Sequence, residues 1–125
     1  MVYQDRYLLF IEYFNQSKFM SAQTTLDELW LKDQSKDKDF YGGLIQIAVS
    51  LYHLTQDNPR GAAKIYSRAR DMIIKYGDEH NDIALKKLRD ALDELYQRPD
   101  LTEMNPMELI RLVPKIQTLQ NINNA

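Results

Sequence analysis

Apolar residues recur at helical spacing along almost the whole chain. Tyr7, Phe10, Ile11 and Phe14 fall at i, i+3, i+4 and i+7, which predicts a first helix from about Gln4 to Asn15. The run Asn15-Gln16-Ser17-Lys18 breaks that pattern. Phe19, Ala22, Leu26, Leu29 and Trp30 then form a second stripe, a helix from about Met20 to Lys32 with Ser17 or Ser21 as its cap. The most polar window, Asp33 to Asp39 (DQSKDKD), predicts an exposed, solvated connector. Alternating runs bounded by turn residues are missing, and so are Asn-Gly and Asp-Gly pairs, so strands are not expected.

The middle of the chain, Phe40 to Tyr76, organises the rest. The segment FYGGLIQIAVSLYHL is apolar on almost every side, as a helix enclosed by other helices must be, and it predicts a third helix from about Lys38 to Gln56. Asn58 followed by Pro59 is a cap with proline at the first helical position, where a missing N–H costs nothing. Ala62, Ile65, Tyr66, Ala69, Ile73 and Tyr76 give the fourth helix its inward stripe, and Gly77 is its stop. A fifth helix is predicted from about Asn81 to Gln97, with Ala84, Leu85, Leu88, Ala91, Leu92 and Leu95 inward. Asn105-Pro106-Met107-Glu108 opens a short last helix, capping-box-like, which must stop or kink near Pro114.

Sliding the chain by forty positions superposes Phe14-Asn15-Gln16, Ala22, Leu26 and Leu29 on Leu54-Thr55-Gln56, Ala62, Tyr66 and Ala69. A small residue early in the second helix of each pair lets two backbones approach, and a larger one four positions on fills the groove. The expected fold is therefore all-α: a compact bundle of five main helices plus a short C-terminal one, built from tetratricopeptide-like αα-hairpins. Residues 1–119 form the domain and 120–125 (QNINNA) a frayed tail.

Composition narrows the function classes. A chain of 125 residues is one domain by size and buries roughly two-thirds of its unfolded surface. With no cysteine there is no disulfide or thiol nucleophile, and a reducing, cytoplasmic location is expected. Net charge is −2, so no global field draws in nucleic acid. No apolar run approaches the roughly 20 residues of a spanning helix, and the first residues do not read as a secretory signal, so membrane insertion is not expected. His53 and His80 are the only histidines, with no His-x-x-x-His or Glu-x-x-His pair, so no metal or other cofactor is expected. Neither a Gly-x-Ser-x-Gly elbow nor a phosphate-cradling glycine loop is present, and no catalytic set is assigned. Gly42-Gly43 opens an apolar helix and is read as permitting close helix contact.

Three features remain as candidate sites. Asp39, Gln46, Ser50, His53 and Asp57 share one narrow sector of the third helix, and Gln23 and Asp27 share a face of the second. Were the faces opposed, Asp27 would orient His53, and Gln23, Gln46 and Ser50 would hold a polar ligand between helices two and three. A structural hydrogen-bond network or a solvent edge would leave the same pattern. Arg60, Lys64 and Arg68 form a basic ridge along the fourth helix, fit for phosphate or an acidic partner but also the mark of a solvated face. The eight tyrosines (3, 7, 13, 41, 52, 66, 76 and 96) exceed what a core can bury without hydroxyl partners, which points to a partner surface.

The stretch from Phe40 to Ala48 (FYGGLIQIA), followed by Tyr52-His53 and by Asn58-Pro59-Arg60-Gly61-Ala62, resembles the family known as domain of unknown function 309. Phe14-Asn15, Phe19, Ala22, Leu26 and Leu29-Trp30 fit the same family's opening hairpin, so the likeness spans roughly Phe10 to Ile74. It implies a compact five-helix fold and no activity. Members usually carry Ala-His-Glu where this chain has Ala22-Gln23-Thr24, and a Glu at Asp27. Any acid, base or ligand role of that His and Glu is therefore lost here, while Gln46, His53 and Asn58 are kept. The expected function is a non-enzymatic binding or scaffold module engaging a protein or a second copy of itself. The alternative is a small-molecule or enzymatic pocket between helices two and three; nucleic-acid binding through the ridge ranks third.

Overall fold

A computed structural model describes the backbone of residues 2–120 and the side chains of residues 5–120. The Tyr3 side chain and residues 121–125 of the expected tail 120–125 lie outside that description, while the N–H of Gln120, its first residue, donates to Asp82 Oδ1 at 3.2 Å. The chain forms α1 (Val2–Asn15), α2 (Phe19–Lys32), α3 (Lys38–Thr55), α4 (Pro59–Ile73), α5 (Leu85–Tyr96) and α6 (Pro106–Leu112), with 3-10 turns at Ile74–Tyr76 and Leu101–Glu103. No strand occurs among the described residues beyond isolated bridges at Ile83.

The bundle is two αα-hairpins, α1–α2 and α3–α4, with α3 packed against both α2 and α4. The forty-residue repeat is a repeat of geometry. Ser17 and Asp57 both take φ 60°, a left-handed conformation that reverses the chain in three residues. The N–H of Lys18 donates to the Tyr13 carbonyl at 2.9 Å, and that of Asn58 to the His53 carbonyl at 3.0 Å. Ala22 and Ala62 are both fully buried at the close crossings that follow. The two helices α3 and α4 approach closely at Gly43, where a Cβ would lie 2.3 Å from Ile73 Cγ2.

Two helix starts differ from expectation. Neither Ser17 nor Ser21 caps α2: the N-cap is Lys18, without a side-chain cap, because Ser17 is consumed by the left-handed turn. The fifth helix begins at Leu85, not near Asn81, because Asn81 and Asp82 take φ 45° and 65° and no helix runs through two such residues. Asn58 and Asn105 do cap α4 and α6, accepting from the N–H of Gly61 and Glu108.

The extended chain after α6 returns to its own domain. Asn15 brackets Ile116, donating to its carbonyl at 3.0 Å and accepting from its N–H at 2.7 Å. Ala84 N–H donates to the Gln117 carbonyl and Leu119 N–H to that of Asp82. Nor is the 33–39 connector merely solvated. Lys38 Nζ donates to the Trp30 carbonyl at 2.7 Å, closing the end of α2, and sits 4.7 Å from the Trp30 ring centre.

Candidate functional site

Polar side chains of this fold fall into groups that differ in how they are satisfied. On the α4–α5 edge, Tyr66 donates to Asp93 Oδ1 at 2.5 Å and to the Arg89 carbonyl at 3.1 Å, and Arg70 Nε donates to both Asp93 oxygens at 2.9 and 3.0 Å. Tyr66 stacks on Tyr96 at 4.9 Å, and the Tyr96 hydroxyl donates to Ser50 Oγ, itself donating to the Ile47 carbonyl. Burial pushes the Asp93 carboxyl up, but the hydrogen bonds from Arg70 and Tyr66, aided by the Arg70 and Arg89 charges, hold it below its ordinary value. Burial, reinforced by Asp93, pushes the Tyr66 hydroxyl up. This network is closed.

A second cluster gathers where α3 begins. Asp37 pairs with His80 at 2.9 Å and accepts from Asn81, while Tyr7 donates to the Asn81 carbonyl at 2.8 Å. His80 rests against the rings of Phe40 and Tyr76 at 4.7 and 4.8 Å. The Tyr76 hydroxyl donates to the Lys36 carbonyl. Tyrosines 7, 66, 76 and 96 thus spend their hydroxyls inside the chain, which removes much of the reason to read them as a partner surface.

The third group is open. Asp27 and Trp30 of α2, Gly42, Ile45 and Gln46 of α3, and Arg68 and Met72 of α4 enclose a groove of about 340 Å³. Its floor exists because position 42 is glycine: a Cβ there would lie 2.8 Å from Met72 Cε and 3.1 Å from Trp30 Nε1. Trp30 is held from behind by Lys38, as described, so its ring forms a fixed wall. Around this apolar floor stand a carboxylate, an amide and a guanidinium. Gln46 and Arg68 have no hydrogen-bond or ion-pair partner among the described residues. Burial pushes the Asp27 carboxyl up, only partly countered by a hydrogen bond from Gln23, one turn away on α2.

Of the residues singled out in the sequence, the structure brings Asp27 and Gln46 together in this groove, with Gln23 beside Asp27. It does not bring Ser50 or His53 there. Ser50 is fully buried under Tyr96. His53 lies seven residues beyond Gln46, two helical turns or roughly 10 Å along α3, and its ring meets the edge of Tyr52. No Asp27–His53 pair forms, because Asp27 lies level with Gln46. Arg68, assigned to the ridge, proves to be also a groove wall. Trp30, Ile45 and Met72 were missed as lining residues. The glycine pair was the available signal, since a close helix approach pulls in whatever flanks it.

Residues 7–65 match the family described as Domain of unknown function (DUF309), in agreement with the resemblance carried by Phe14, Ala22, Trp30, Gln46 and Asn58. The matched segment contains the α2 and α3 walls of the groove; Arg68 and Met72 lie beyond it. Comparisons with curated proteins and with solved structures found no match.

Proposed function

We propose that the protein is a non-enzymatic helical binding module that engages a protein partner through the α2–α3–α4 groove. One observation carries the reading: an apolar floor is ringed by polar side chains, and among the described residues no cation pairs with Asp27 and no hydrogen-bond or ion-pair partner meets Gln46 or Arg68. Trp, Met and Arg are also the residue types enriched at the energetic centres of interfaces. In this reading the paired hairpins act as a tetratricopeptide-like scaffold that presents the groove in the cytoplasm.

The test is a photo-crosslinking side chain at position 46, with the same group at exposed Glu94 as control. A protein captured from 46 but not from 94, and lost when Arg68 is changed to Ala, supports the reading. Identical capture at both positions, or none, overturns it. A small molecule in the same groove is the second reading, favoured by a volume within the range of ligand pockets. A thermal shift from a metabolite screen, abolished by Gln46→Ala, would select it instead.

A further inference from the structure

We infer that the segment received by the groove is acidic, with an apolar side chain seated on the floor and its carboxylates lying along α4 over Arg60, Lys64 and Arg68. This rests on the docking reading above and adds the chemistry of the partner.

The three cations are spaced at i, i+4 and i+8, and the next step of the same row is Met72, on the groove floor. A positive row about 12 Å long therefore runs straight into the apolar pocket. All three side chains are exposed, and none has an ion pair or hydrogen bond among the described residues. Cations elsewhere on this part of the chain do have partners: Arg70 pairs with Asp93 and Lys75 with Asp39. Asp57 and Asp71 flank the row in sequence without bridging to it.

Leaving the row bare is unfavourable to the free protein. Like charges at i, i+4 repel, and Arg60 stands in a first turn that holds no acid, against the helix dipole. Carboxylates laid along the row relieve both. The chain as a whole carries −2, so the row is a local positive feature on an acidic protein. Asp27 fixes the orientation: on the α2 wall it repels carboxylates and favours a donor, so the acidic side of the partner lies over α4. An oligonucleotide would also meet the cations, but the Asp27 wall opposes phosphate.

The test uses helical peptide pools of about fifteen residues, long enough to hold a helix. Apolar positions are mixed over Leu, Ile, Met, Phe and Trp, and three polar positions at i, i+4 and i+8 are fixed as Glu, Gln or Lys. Retention is measured on the immobilised full chain. The Glu pool should be retained about tenfold over the Gln pool, the advantage shrinking as salt rises from about 50 to about 300 mM. The triple change Arg60→Glu, Lys64→Glu and Arg68→Glu should invert the order, so that the Lys pool binds best. A neutral triple change to Gln, should the reversal not fold, should level the three pools. Equal retention of all pools, lost on adding Gln46→Ala, would overturn the acidic partner while keeping the groove. No retention of any pool would overturn both. A single-stranded oligonucleotide that binds as tightly, with the same dependence on the row, would overturn it in favour of nucleic acid.

Discussion

The two edges of α4 carry similar side chains to different ends. Tyr66 and Arg70 stand one turn apart on one edge; Arg68 and Met72 stand one turn apart on the other, offset by two residues and so about 200° around the helix. Facing α5, the guanidinium of Arg70 finds Asp93 and the phenol finds both Asp93 and a carbonyl. Facing α2 and α3, the guanidinium of Arg68 has no hydrogen-bond or ion-pair partner among the described residues, and a carboxylate sits in the same groove with no cation paired to it among them. Polar groups that complete one another tie helices together. Polar groups left incomplete around an apolar floor are, on the reading proposed above, available to a partner.

The closed edge gives the largest expected effect. Asp93→Ala removes the acceptor that Arg70 and Tyr66 share, leaving Tyr66 only the Arg89 carbonyl and Arg70 without a partner among the described residues, and it should cost about 2 kcal/mol in urea unfolding at neutral pH. The sign of the pH dependence follows from a carboxyl held below its ordinary value by Arg70 and Tyr66 in spite of burial. Its contribution is complete above the unfolded-state pKa of about 3.9 and is lost as pH falls through the lower folded value. The stability gap between the wild type and Asp93→Asn should therefore close in acid. Tyr96→Phe, which removes only the donor to the fully buried Ser50, should cost about 1 kcal/mol. A gap that stays constant down to the acid transition would show that Asp93 is not the tie described.

Local pattern carried the helices and even the shared turn, because periodicity, Asn-Pro caps and small residues at crossings act over a few residues. The repeat found by sliding the chain corresponds to Ser17 and Asp57 adopting the same φ. What pattern could not carry is which neighbour covers which turn. Gln46 and Ser50 differ by only 40° on α3, yet one is exposed and the other buried, since Tyr96 from α5 reaches Ser50 and no described residue bonds to Gln46. The Tyr66–Asp93 and Asn15–Ile116 ties likewise join residues 27 and 101 positions apart, and no local spacing announces them. The late start of α5 was hidden because Asn81 and Asp82 can cap a helix as readily as turn the chain.

The open edge should respond in the opposite manner. Gln46→Ala and Arg68→Ala remove exposed side chains with no hydrogen-bond or ion-pair partner among the described residues, so unfolding free energy should move by no more than about 0.5 kcal/mol. Peptide retention should fall about tenfold for each, and crosslinking from position 46 should fall likewise for Arg68→Ala. Should either change destabilise the protein by as much as Asp93→Ala, the groove would be a second structural tie and the contrast between the edges would disappear.

The smallest effect is the sharpest in sign. Burial raises the Asp27 carboxyl, and the hydrogen bond from Gln23 offsets only part of that. An acid whose folded pKa is raised holds its proton more tightly in the folded state. Its stabilising effect is fully present below the unfolded pKa and is lost as pH rises through the folded value, leaving the ionised group a burden at neutral pH. Asp27→Asn should therefore leave the unfolding free energy unchanged in acid and raise it slightly above the ordinary carboxylate range, by about a few tenths of a kcal/mol because the group is only part-buried. The same change should weaken the groove's hold on its partner by removing the wall that orients it. A residue whose replacement improves the fold and impairs binding is held by function, and a loss of stability in Asp27→Asn at neutral pH would instead make it part of the packing.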